Sequence, residues 1–93
     1  MIKKLKKLEK LGIGNIKINL LINLHTYLSH IKEGDSTTEL YDQLTYDDIG
    51  YIRKLNTTYD FFILYRSQEN IRNAKLSKIT PFGRKVLKIL EES

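Results

Sequence analysis

Apolar side chains recur along this chain with two periods, one of about 3.6 and one of about 2, and the switches between them mark out the elements. Residues 2–11 read as a short amphipathic helix. Ile2, Leu5, Leu8 and Leu11 sweep one half of its wheel, while Lys3, Lys6, Lys7 and Lys10 sweep the other. Gly12 and Gly14 break the pattern. The longest helical pattern spans 15–32, with Ile16, Leu20, Leu24, Tyr27, Leu28 and Ile31 on one face. Asn19, Asn23, Thr26, Ser29 and His30 share the opposite face. Ile18 and Ile22 fall outside the main stripe, which leaves a second surface for another element or a partner to cover.

A turn at Glu33-Gly34-Asp35 precedes Ser36-Thr37-Thr38-Glu39, the spacing of a capping box in which hydroxyl and carboxylate each satisfy a free first-turn N–H. A short helix to about 44 follows, pointing Leu40 and Leu44 inward. Thr45 caps the next helix, expected over 45–57, and Asp47 and Asp48 sit favourably beside its positive end. Ile49, Ile52 and Leu55 form its inner edge, so Tyr46, Gly50, Tyr51, Arg53, Lys54 and Thr57 point largely away. Residues 61–65 are aromatic and β-branched and predict a strand; 67–70 suit a hairpin tip and 72–79 a returning strand.

The last stretch is the most informative. In Leu76-Ser77-Lys78-Ile79-Thr80-Pro81-Phe82-Gly83-Arg84-Lys85-Val86-Leu87-Lys88-Ile89-Leu90, a strand runs into a capped turn and a helix over 81–91. Thr80 suits the N-cap, and Pro81 the first helical position, where its missing N–H would be unpaired anyway. Val86, Leu87, Ile89 and Leu90 form the apolar stripe; Arg84, Lys85 and Lys88 stay wet. This strand, Thr-Pro-x-Gly-Arg, helix sequence resembles the exit from the wing of winged helix-turn-helix proteins, especially MarR-like and PadR-like regulators. The preceding elements fall in the order that fold requires.

The resemblance implies a mainly α (α+β) fold: a three-helix core, a two-stranded β-hairpin wing and a C-terminal helix, here with a short basic N-terminal helix added. Residues 1–14 form the extension and 15–93 the winged-helix domain. It further implies a small transcriptional regulator of double-stranded DNA, with a recognition helix at about 45–57 and a wing at about 66–75. On that reading Tyr46, Tyr51, Arg53, Lys54 and Thr57 contact DNA from the helix. Arg66, Gln68, Asn70, Arg72, Asn73 and Lys75 contact it from the wing. A homodimer is expected, with Ile2, Leu5 and Leu8 of the first helix and Leu87 and Leu90 of the last at the interface. The sequence departs from the family where a glycine often follows the recognition helix; here stands Asn56-Thr57-Thr58-Tyr59-Asp60.

Charge supports this picture at the flanks and complicates it in the middle. The net charge is +5 over 93 residues, compatible with a polyanionic partner. Residues 1–10 carry five lysines against Glu9. Residues 35–60 carry Asp35, Glu39, Asp42, Asp47, Asp48 and Asp60 against Arg53 and Lys54. Carboxylates at the start of a recognition helix repel phosphates unless they cap the helix or accept from a cytosine amino group. The alternative is therefore a winged helix that binds a protein partner through its acidic 35–60 surface. The N-terminal helix has three readings: a subunit contact, packing on its own domain, or an anionic membrane surface. The last is disfavoured by its shortness and its lack of Trp and Phe.

Other chemistry finds little purchase. With no cysteine, disulfides, thiolate metal sites and Cys nucleophiles are excluded, and a reducing cytoplasm fits. His25 and His30 are five apart, about 140° around a helix, so they do not share a metal-binding face. Gly12-Ile13-Gly14 lacks the rest of a dinucleotide motif. Asp47 and Asp48 diverge on a helix, unlike facing acid/base carboxylates. The expectation is a protein that is not an enzyme, with no catalytic residue, metal or cofactor, and no membrane association.

Overall fold

The computed structural model describes residues 2–14, 16–32, 40, 42–66 and 75–92, with Arg66, Lys75 and Leu76 as backbone only. Among them, four helices and one two-stranded antiparallel sheet follow in the order α1 (Ile2–Lys10), α2 (Ile18–Ile31), α3 (Tyr46–Tyr59), β1 (Phe62–Arg66), β2 (Lys75–Ile79) and α4 (Pro81–Glu91). The expected turn at 33–35, the capping box at 36–39 and the hairpin tip lie outside the described residues.

Each element ends for a local reason. α1 stops in a Schellman motif: Gly12 N–H donates to Glu9 O and Ile13 N–H reaches back to Leu8 O, both at 2.9 Å. Gly12 takes φ +88°, open to glycine at little cost. Leu8 and Ile13 bury together, which completes the motif with its apolar contact. α2 starts at Ile18, three residues later than expected, because Lys17 is extended and no side chain caps the helix. Ile16 therefore packs from the lead-in segment instead of from the helix. Leu40 and Leu44 are buried as expected, joined by a helical turn in which Leu44 N–H donates to Leu40 O at 2.8 Å.

The core is built on α2, which packs against both α3 and α4 and also touches β2. Leu21, Leu24, Tyr27, Leu28 and Ile31 are buried along it; Leu21, one position off the anticipated stripe, broadens that stripe toward α1. Tyr27 is the central side chain. Its ring stacks on Phe62 at a centroid distance of 4.6 Å, and its hydroxyl shares a 2.8 Å hydrogen bond with the buried Ser77. In the sheet, Phe62 pairs with Ile79 and Leu64 with Ser77, so Phe62, Ser77 and Ile79 share the inner face. Ile63 and Tyr65 point to the outer face and stay exposed.

The junction between α3, the sheet and α4 is tied by short-range polar contacts. Asp60 closes α3 in the left-handed region at φ 59°, its N–H donating to Asn56 O at 2.8 Å. This residue does what glycine does in many helix endings, so α3 runs on to Tyr59, two residues past expectation. The Asn56 side chain then acts as a strand edge: it donates to Phe62 O at 2.8 Å and accepts from Phe62 N–H at 2.9 Å. Thr80 accepts from Gly83 N–H at 2.9 Å through its hydroxyl, which donates toward the carbonyls of Asp60 and Phe61. A Cβ on Gly83 would fall onto Phe61 O and stand 2.9 Å from Ile79 Cγ1.

The expected subunit interface is corrected here. Leu8, Leu87 and Leu90 are at most 7% exposed and belong to the chain's own core, with Leu5 half-buried against them. Only Ile2, 71% exposed, remains outside. The reason is that α1 docks on α4 of the same chain, so the two apolar stripes cover each other.

Three stability predictions follow from these contacts. Gly83→Ala should lower stability by about 1–3 kcal/mol, because backbone must move to admit the methyl group; chemical denaturation reads this directly. Asp60→Gly should raise stability by roughly 0.5–1 kcal/mol, relieving a left-handed residue and removing an acid from the negative helix end. Tyr27→Phe should cost about 1–2 kcal/mol by leaving the buried Ser77 hydroxyl without its bond, whereas adding Ser77→Ala to that variant should recover part of the loss.

Candidate nucleic-acid interface

The exposed face of α3 is the best-defined candidate surface. Tyr46, Gly50, Arg53, Lys54 and Thr57 follow at i, i+4, i+7, i+8 and i+11, and so line one side of the helix. Ile49 and Ile52 turn the opposite side into the core. Tyr46 is 77% and Tyr51 64% exposed. Lys54 and Thr57 are also exposed; Thr57 donates its hydroxyl to Lys54 O at 2.6 Å. Nothing lies within 4 Å of where a Gly50 Cβ would stand, so the backbone is approachable midway along this face. Arg53 is half-buried, and its Nε is enclosed without a hydrogen-bond partner among the described residues. The inner edge of its guanidinium is therefore covered by the protein.

The two acids at the start of α3 have different fates. Asp48 N–H donates to Thr45 Oγ1 at 3.1 Å, and the Asp48 carboxylate accepts from Thr45 N–H at 3.4 Å, so the capping box is complete. This carboxylate belongs to the helix end. Asp47 is exposed. The helix thus carries Arg53 and Lys54 against one uncommitted acid.

On its other flank α3 forms an open groove with α2, about 650 Å³ in volume. Ile16, Leu20, Leu55, Tyr51 and Tyr59 supply its apolar lining, with Lys17 and Asp48 also facing it. Tyr51 therefore borders this groove as well as the outer face of the helix.

Of the expected wing residues, Arg66 and Lys75 are directly paired at the outer end of the two strands. Gln68, Asn70, Arg72 and Asn73 lie outside the described residues. Sequence reasoning missed Asn56, whose amide fixes the angle between α3 and β1. An asparagine one turn before a helix end, followed by an aromatic strand, was the available signal. Among the described residues no three His, Cys, Asp or Glu side chains gather as a metal site would need. No described helix is long and apolar enough to cross a membrane.

Thr45→Ala should cost about 1 kcal/mol and fray the first turn of α3, seen as faster amide exchange at 46–48 with the core amides unchanged. No protein-family model matches this chain, and neither a curated protein nor a solved structure is significantly similar to it.

Proposed function

We propose that this chain is a winged helix-turn-helix domain acting in the cytoplasm as a small DNA-binding transcriptional regulator. The observation that carries the reading is the solvent-facing side of α3, with Tyr46, Gly50, Arg53, Lys54 and Thr57, followed at once by an antiparallel hairpin. The major groove of duplex DNA is about 12 Å wide and admits one helix. Arg53, Lys54 and Thr57 supply cations and a hydroxyl for phosphates and base edges, and Tyr46 and Tyr51 supply phenols for phosphates. The hairpin leads from Arg66 to Lys75 through 67–74, where Gln68, Asn70, Arg72 and Asn73 add amides and cations suited to a wing. Bound as a homodimer, the protein would occupy two half-sites and block or recruit the transcription machinery. Ile18 and Ile22, exposed on one stripe of α2, are the apolar side chains that a second copy would cover. The reading is one of binding, and it assigns no reaction or cofactor to any residue.

A second reading keeps the fold and replaces DNA with a protein partner on the acidic 35–60 surface. The groove between α2 and α3 favours it, since its apolar lining exceeds what phosphate contact needs.

Fluorescence anisotropy with a mixed AT-rich duplex over a salt series separates the two. Micromolar or tighter binding is expected, with log K falling steeply against log salt. Arg53→Ala combined with Lys54→Ala should weaken it by about tenfold, and Asp47→Asn should tighten non-specific binding. Absence of binding at low salt would exclude the regulator and leave the protein-partner reading.

A further inference from the structure

The first and last helices meet, and two lysines of α1 tie them together. Lys4 Nζ donates to Leu90 O at 3.0 Å, and Lys7 pairs with Glu92, so α1 is held against the C-terminal part of α4. On α1, Lys3, Lys6 and Lys10 stand at i, i+3 and i+7 and are all exposed, within about 60° of one another around the helix. On α4, Arg84, Lys85 and Lys88 are exposed within an arc of about 100°. Each set lies opposite the buried side of its own helix, so α1 and α4 each carry an outward cationic ridge. The ion pairs among the described residues join Lys7 to Glu92 and Lys32 to Glu91. Among the described residues, Lys3, Lys6, Lys10, Lys85 and Lys88 have no carboxylate partner. On α3, by contrast, the exposed Asp47 offsets part of the charge of Arg53 and Lys54. Among the described residues, α1 and α4 therefore carry exposed lysines outside any ion pair, away from the candidate recognition helix.

We propose that the lysine ridge of α1 binds the phosphate backbone of duplex nucleic acid independently of α3, with the ridge of α4 as a further cationic contact. From Lys3 to Lys10 the ridge is about 10 Å long, and one strand of a duplex carries one charge per about 3.4 Å of axis, so about three phosphates of the nearer strand lie along it. Release of their counterions drives such binding without sequence preference. A membrane surface is the competing polyanion. Basic amphipathic helices bind it by sinking their apolar face among the lipids. In α1 that face is already used: Leu8 is 2% exposed and Leu5 and Leu11 pack on the same core. Outward it presents lysines, Glu9 and the single apolar Ile2. α2 lies between α3 and α4, so the ridge and the α3 face occupy different flanks of the molecule.

The test uses the full chain and two variants, K3Q/K6Q/K10Q and K85Q/K88Q, with Lys4 and Lys7 kept because they hold α1 in place. All five changed side chains are exposed, and unchanged melting temperatures establish that the variants fold. Anisotropy on a mixed-sequence DNA duplex should show a salt slope flattened by about 0.9 for each phosphate contact removed, so by about two to three for the triple variant. Arg53→Ala with Lys54→Ala should leave that difference in place, which keeps this surface distinct from the α3 reading. Parent-like affinity and slope in both variants would overturn the proposal and make the ridge a solvated face. Sedimentation of the parent, but not the triple variant, with phosphatidylserine vesicles while duplex binding stays unchanged would overturn it in favour of lipid.

Discussion

The contact between Phe61 O and the Thr80–Gly83 turn is the constraint on which the remaining geometry rests. The carbonyl accepts from Thr80 N–H at 3.0 Å and lies where a side chain on Gly83 would have to stand. It therefore sets the distance between the start of β1 and the start of α4. Thr80 is buried, yet its hydroxyl both accepts from Gly83 and donates toward the preceding loop, so no polar atom there is left unsatisfied. On the far side, Asp60 and Asn56 deliver the chain from α3 into β1 at a single angle. Any candidate surface that combines α3 with the hairpin depends on that angle.

A second constraint holds the sheet to the helices. A two-stranded sheet is marginal alone in water and needs a surface to pack on. Here Tyr27 provides it, stacking on Phe62 and bonding Ser77. Tyr59, Phe61 and Phe82 extend the aromatic contact to α3 and α4, with centroid distances of 5.5 and 5.8 Å about Phe61. Aromatic pairs of this kind add directional preference to plain burial. The hairpin is thus oriented by the Tyr27–Ser77 bond, the Asn56 side chain on Phe62 and a run of rings. Its outer face, with Ile63 and Tyr65, stays open.

Much of the local structure was legible because the signals are local. Thr45 with Asp48, and Thr80 with Pro81, announce helix starts that the structure has at Tyr46 and Pro81. The helical periods of 2–11 and 81–91 match α1 and α4 closely. The differences fall at two helix ends. The start of α2 moved to Ile18 because nothing caps it earlier. α3 gained two residues because Asp60 accepts a left-handed conformation that a sequence rule assigns to glycine. The candidate interface was legible as a set of outward residues on α3. That Arg53 is half enclosed was not, since enclosure depends on what packs beside the helix.

The sequence by itself determined the order and kind of elements, the caps, and the segregation of acids to the middle and lysines to the ends. These follow from nearest-neighbour geometry and periodicity, which a linear string records. Tertiary structure alone decided what the amphipathic faces cover. Leu8, Leu87 and Leu90 are equally suited to a second subunit or to one another, and a periodic pattern cannot choose. The choice came from α1 closing over α4, which brings residues more than 80 positions apart into contact. That closure also leaves the cationic sides of both helices outward, because it is their apolar stripes that are buried.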